Sequence, residues 1–220
     1  MHPDWPRLSQ IAERVSGRAF EAGEMGRAFG EMLRAVGSEM QREGFVPADD
    51  MKRPHWTFRR MYGALGMDEL TCESLVLHLD AAHLERHLWC GVDSQAPRVL
   101  DELKRQGLLL AVVSNTEDGR LIDSLDASGI RDSFDLLVDS HLVGHRKPDE
   151  AIFRFALERL ELEADEAAYV GDSYVHDALA AGAIGMRGIL LDPLDLHPES
   201  VCPRIGSLNE LVERVWLRTR

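Results

Sequence analysis

The chain has 220 residues, 45% of them hydrophobic and 29% charged, with a formal net charge of -13. That length supports one sizeable domain, or a core domain with an insert. The acidic balance excludes nucleic acid as a partner, because its binders cluster Lys and Arg. No apolar run is long enough to span a bilayer, and MHPDWPRLSQ lacks the segments of a signal peptide. Cys72, Cys90 and Cys202 are too few and too scattered for a disulfide framework, so a reducing, cytoplasmic setting is expected.

In chain order, the first part shows helical periodicity and no convincing strand. IAERVSGRAFEAG, MGRAFGEMLRAVGSEMQREGF, RRMYGALGM and LVLHLDAAHLERHLW place apolar residues at spacings of three and four. Pro47 and Pro54 interrupt this part around VPADDMKRPHW. From Val92 the texture changes. PRVLDELKRQG predicts an amphipathic helix stopped at Gly107, and LLLAVVSN a buried strand. EDGRLIDSLDASG follows as a helix, FDLLVDS as a strand, and PDEAIFRFALERL as a helix with Pro148 in its first turn. AAYVGD then predicts a strand, VHDALAAGAIG a helix, RGILLD a strand and SLNELVERVWLR a last helix. Short alternating units of this kind predict an α/β fold, a doubly wound parallel sheet covered by helices. The expected organisation is a helical domain over residues 1–90 and an α/β core over 91–220.

Ligands of such folds bind beyond the carboxyl ends of the strands. Ser114, Asn115 and Thr116 follow LLLAVV, Gly171, Asp172 and Ser173 follow AAYV, and Asp177 lies five residues beyond Asp172. Lys147 precedes the helix near Pro148. Two carboxylates suit Mg²⁺, which takes one or two protein carboxylates plus substrate phosphate. A hydroxyl and backbone N–H groups hold phosphate oxygens, and a lysine neutralises them as a point charge. Taken singly, each residue has an ordinary explanation as a helix cap, a turn or a surface charge. Together, in order and at successive strand ends, they predict a phosphoryl site.

These segments resemble the haloacid dehalogenase (HAD) superfamily, mostly Mg²⁺-dependent phosphatases. VVSNTEDG resembles its second motif, GHRKPDEAIF its third and VGDSYVHDALAAGAIGM its fourth, while RIGSLNEL matches the last strand-helix segment. The resemblance covers roughly Val92 to Val215. It implies Ser114, Asn115 and Lys147 at the phosphate, Asp172 and Asp177 at a Mg²⁺ ion, and a Rossmann-like core. It implies that the helical part is a cap that selects the substrate, a small phosphorylated metabolite. The acid pair favours phosphoryl transfer over the carbon-halogen chemistry of the dehalogenase branch.

The superfamily's first motif, Asp-x-Asp-x-Thr, is not found. Its first Asp is the nucleophile that forms an aspartyl-phosphate, and its second is the general acid/base. Asp4 has no strand before it, Asp49 and Asp50 sit in a Pro-bounded loop, and Asp192 and Asp195 follow the wrong strand. The resemblance places that motif on a central strand between LLLAVV and AAYV. Three outcomes are open: the flanking strands close up, another segment fills the slot, or the natural protein starts upstream of Met1. We expect the third, and expect the chain as it stands to be inactive. A HAD-like binding or regulatory protein is the alternative, and a haloacid dehalogenase a second. HLERHLWC invites a zinc reading through His83, His87 and Cys90, but no fourth ligand is evident, and a helix stripe is the better reading. His176 reads as a surface residue of the motif loop.

Overall fold

The computed structural model describes residues 1–43 and 55–213. Pro47, Asp49, Asp50 and Pro54 lie outside them. The chain divides into two compact units, Met1–Gly91 and Val92–Arg220.

The first unit is helical: α1 (Trp5–Ser16), α2 (Ala22–Glu43), α3 (Trp56–Ala64) and α4 (Glu69–Glu85). Helix α1 starts where the Asp4 carboxylate accepts from the Arg7 N–H at 3.2 Å, with Pro6 in the first turn. It stops at Gly17, whose φ of 72° is left-handed. The sequence pattern ran one helix through that glycine; the backbone breaks there, and α2 starts at Ala22. Leu8 and Ile11 of α1, Met25 of α2, Phe58 and Tyr62 of α3, and Leu75 and Leu79 of α4 share one apolar core. Its polar intruder is satisfied, because the Tyr62 hydroxyl donates to the Leu8 carbonyl at 2.8 Å. Trp89 packs against both Phe29 and Phe58, with ring centroids 5.5 and 5.4 Å away.

The second unit alternates as the texture predicts. After α5 (Ala96–Arg105) come β1 (Ala111–Ser114), α6 (Leu121–Ser128), β2 (Leu136–Asp139), α7 (Ser140–Val143) and α8 (Glu150–Leu160). Then follow β3 (Ala168–Gly171), a π-helical turn (Tyr174–Leu179) running into α9 (Ala180–Ala183), β4 (Arg187–Leu191), β5 (Arg204–Ile205) and α10 (Asn209–Glu213). All pairings between these strands are parallel. Pro148 lies outside α8 and not in its first turn; the N-cap is Asp149, and the Lys147–Pro148 peptide is cis.

The sheet is divided. β1 pairs with β2, β3 with β4 and β4 with β5, but β1 and β3 do not pair with each other. The flanking strands have therefore not closed into one ladder, and no strand of the described residues lies between them. The cost is visible in burial. Val112, Val113, Tyr169 and Val170 are only partly buried, whereas Gly188, Ile189 and Leu190 of β4 are fully so. Two smaller apolar clusters replace one large core. Val138, Ile152 and Phe153 anchor the first, and Leu121, Leu125 and Ile130 the second.

Candidate functional site

β1 and β3 do not pair, but polar side chains tie both of them to the loop before α8. Ser114 is the last residue of β1; among the described residues its hydroxyl has no hydrogen-bond partner. Asn115 follows it and clamps a backbone. Its Nδ2 donates to the Lys147 carbonyl at 2.9 Å, and its Oδ1 accepts from the Lys147 N–H at 2.8 Å. The amide expected to face a phosphate thus holds the lysine's main chain.

Lys147 is nearly enclosed, with 13% of its side chain exposed. Its Nζ donates to Asp177 Oδ1 at 2.6 Å and to the Tyr169 hydroxyl at 2.9 Å. Burial alone would pull the ammonium's pKa down, but the Asp177 carboxylate, with Tyr169 after it, more than reverses this. Lys147 therefore stays charged. Burial, opposed by the Lys147 charge, pushes the Tyr169 phenol up, so its hydroxyl keeps its proton. That hydroxyl donates to the Val113 carbonyl of β1 at 2.9 Å.

Asp177 is buried, and both its oxygens are engaged: Oδ1 by Lys147, and Oδ2 by the Ser173 N–H at 3.0 Å. The expectation that it would share a metal with Asp172 meets this commitment. Its side chain folds back over Gly171, where an added Cβ would sit 2.4 Å from the carboxylate carbon. The glycine of the Gly-Asp pair is there to admit Asp177. A second close approach fixes the same turn from beneath, since a Cβ at Gly188 of β4 would lie 2.0 Å from the Ala178 carbonyl oxygen. Asp172 differs. Its side chain is exposed, and no donor of another described residue hydrogen-bonds it.

The structure thus brings Asn115, Lys147 and Asp177 into direct contact and leaves Ser114 and Asp172 open at the strand ends. His176, expected at the surface, is partly buried. Its Nδ1 lies 3.0 Å from Ser173 Oγ, and burial pulls its pKa down. Two contributors escaped the sequence. Tyr169 reads as one more apolar residue of a strand. Asp139, at the end of β2, is buried and accepts from the Leu121 N–H at 3.0 Å, the His141 N–H at 2.9 Å and the Thr116 hydroxyl. It pins the loop that carries Asn115; an acid ending a strand was the available signal. Asp192 is likewise a pin and not a nucleophile. It accepts from the N–H groups of Leu196 and His197 and from Arg204 Nη1, at 2.8 to 2.9 Å. His83 and His87 each accept a backbone N–H on Nδ1, from Leu88 and Trp89. That favours the structural reading of HLERHLWC.

Residues 57–191, more than half of the chain, match the family model of the haloacid dehalogenase-like hydrolases. The chain belongs to this family. The HAD chain is 46% identical over 123 residues to haloacid dehalogenase-like hydrolase domain-containing protein 3 of Mus musculus, covering 53% of this chain and 49% of that protein. It is 35% identical over 98 residues to ribulose-1,5-bisphosphate 5-phosphatase of Halopiger xanaduensis, covering 44% of this chain and 41% of the relative. The chain thus spans about half the length, or less, of these relatives. Among solved structures, the HAD-hydrolase YfnB of Bacillus subtilis, bound to magnesium, superposes with a TM-score of 0.66. That likeness covers 99% of this chain and 94% of YfnB at 18% identity, and it shows the shared α/β Rossmann-like fold. No helix among the described residues is long and apolar enough to cross a membrane.

Proposed function

We propose that this HAD chain holds the phosphoryl- and metal-binding residues of a hydrolase of small phosphomonoesters. The observation that carries the reading is the nearly enclosed Lys147 ammonium, held by Asp177 and Tyr169 while Asn115 clamps the lysine's main chain. An ammonium has three donors and no acceptor. Asp177 and Tyr169 take two, and the third is left for an anion. Ser114, next in the chain to the Val113 whose carbonyl accepts from Tyr169, would supply a hydroxyl donor. Phosphate is the anion that this set of donors suits, and the naming of the Halopiger relative as a phosphatase supports the choice.

The donor set also fits Mg²⁺. Asp172 is an exposed carboxylate without a competing donor, and Mg²⁺ favours oxygen ligands while retaining water. In this reading Asp172 holds the ion, and Asp177 supports the site through Lys147 and the Ser173 N–H. When bound, Mg²⁺ would supply charge neutralisation at the phosphoryl oxygens. Lys147 would orient and neutralise the group, and Ser114 would hold an oxygen. Attack on phosphorus through an aspartyl-phosphate needs a further carboxylate, because Asp177 is committed to Lys147 and Asp172 to the metal. We expect the 220-residue chain alone to bind phosphate but not to turn over its esters. The helical unit would serve as the cap that selects the metabolite. We place the protein in the cytoplasm, where its three free thiols would stay reduced.

The test is hydrolysis of an aryl phosphate with Mg²⁺, run on this chain and on one extended upstream through the genomic reading frame. Turnover confined to the extended form supports the phosphatase. Phosphate binding without turnover in either folded form supports a binding or regulatory protein, and halide release from a 2-haloacid offered without Mg²⁺ a dehalogenase.

A further inference from the structure

We propose that Tyr169 is the positioning residue of this site: its hydroxyl fixes the Lys147 ammonium and ties it to the edge of β1. The inference rests on Lys147 being the phosphate's cation. Lysine is a point charge on a flexible four-carbon stem, so one contact with Asp177 would leave Nζ free to swing about the carboxylate. The second contact, to the Tyr169 oxygen at 2.9 Å, fixes Nζ from another direction. With two N–H vectors assigned, tetrahedral geometry sets the third.

The hydroxyl suits this role because its own proton is committed. It donates to the Val113 carbonyl at 2.9 Å, so lone pairs are what it offers the ammonium. The Val113 carbonyl belongs to the strand that ends in Ser114, and Tyr169 belongs to the strand that leads into Asp172. One oxygen thus links both strand ends to the cation, across strands that do not pair. The ring is held in turn, edge-on to Phe153 at 5.0 Å, while Lys147 Nζ lies 5.3 Å from its centroid. Phenylalanine would keep the ring contacts and lose the hydroxyl alone.

The experiment is titration of the full chain with inorganic phosphate in Mg²⁺, for the wild type, Tyr169→Phe, Lys147→Met and the double variant, with thermal unfolding alongside. Tyr169→Phe should weaken phosphate about tenfold, the loss expected for one hydrogen bond to a charged group. In the Lys147→Met background it should cause no further weakening. If Lys147→Met does not fold, Lys147→Arg replaces it, and the effect of Tyr169→Phe should shrink in that background. An affinity within twofold of wild type with a lowered melting temperature would make Tyr169 a structural tie only, and would overturn the proposal. So would equal weakening in both backgrounds. A wild type that binds phosphate no better than the Lys147 variant would instead sink the site reading, and this inference with it.

Discussion

The two units solve the same problem by different means. In the helical unit every helix satisfies its own backbone, so what remains is to bury apolar faces, and a single continuous core does so. In the α/β unit a strand depends on its neighbours, and the ladder stops between β1 and β3. There the linkage passes to side chains: Asn115 to the Lys147 backbone, Lys147 to Asp177, and Tyr169 to Val113. Cohesion in one unit is diffuse and apolar, and in the other concentrated in a few polar contacts. Those contacts coincide with the candidate site, so stability and function should fail together there and separately elsewhere.

The sharpest way to break the comparison is Lys147→Met. It leaves Asp177, 5% exposed, without its counter-ion, which should cost about 3–5 kcal/mol in urea unfolding. Hydrogen exchange should accelerate in peptides from β1, β3 and the π-helical turn, and not in α1–α4. Leu79→Ala should do the reverse. This fully buried α4 residue should cost about 2–5 kcal/mol, with faster exchange confined to the helical unit. Equal spreading of either effect would show that the units unfold as one.

Asp192→Asn probes a polar pin away from the proposed chemistry and should cost about 1–3 kcal/mol through its weakened acceptors. Burial would raise this carboxyl's pKa, but the N–H groups of Leu196 and His197 and the Arg204 guanidinium outweigh it, and the net shift is downward. A depressed folded pKa means that the stabilisation is present above the unfolded value of ~3.9 and is lost as pH falls through the folded one. The amide substitution should flatten that part of the acid unfolding curve, and an unchanged curve would remove Asp192 from the account. The smallest effect should come from Asp149→Ala. Its carboxylate accepts from the Ala151 N–H at 2.9 Å as the N-cap of α8. Its loss should cost about 0.5–2 kcal/mol, with phosphate binding unchanged, read by thermal unfolding and titration.

What the sequence revealed was local. The switch from a period near 3.6 to short apolar runs announced the α/β part, and Gly107 and Asp172 sat where a helix stop and a strand end require them. Ser114 and Asp172 were proposed because strand ends are readable, Asp177 from its spacing to Asp172, and Lys147 because it precedes a helix. The misses are all relational. Spacing cannot say that the Asn115 amide turns onto a main chain 32 residues away, or that Tyr169 uses its one polar atom to reach across the sheet. The apolar pattern of IAERVSGRAFEAG runs on past Gly17, so the periodicity alone did not mark the helix stop there. The division between β1 and β3 was not decidable from sequence, since strand pairing depends on partners distant in the chain. The resemblance framed the three outcomes, and the choice of the third among them rested on no residue of the chain.

The π-helical turn at Tyr174–Leu179 has a consequence for how this segment tolerates length changes. Both the Asp177 and Ala178 N–H groups point to the Ser173 carbonyl, at 2.9 and 3.4 Å, so the turn holds one residue more than an α-helix would. Deleting one residue between Ser173 and Asp177 would regularise the helix. It would also rotate the acid by about 100° around the helix axis, away from Lys147. A single-codon deletion here should therefore yield a chain with a better helix and a dismantled cation site, whereas the same deletion in an exposed loop would cost it little.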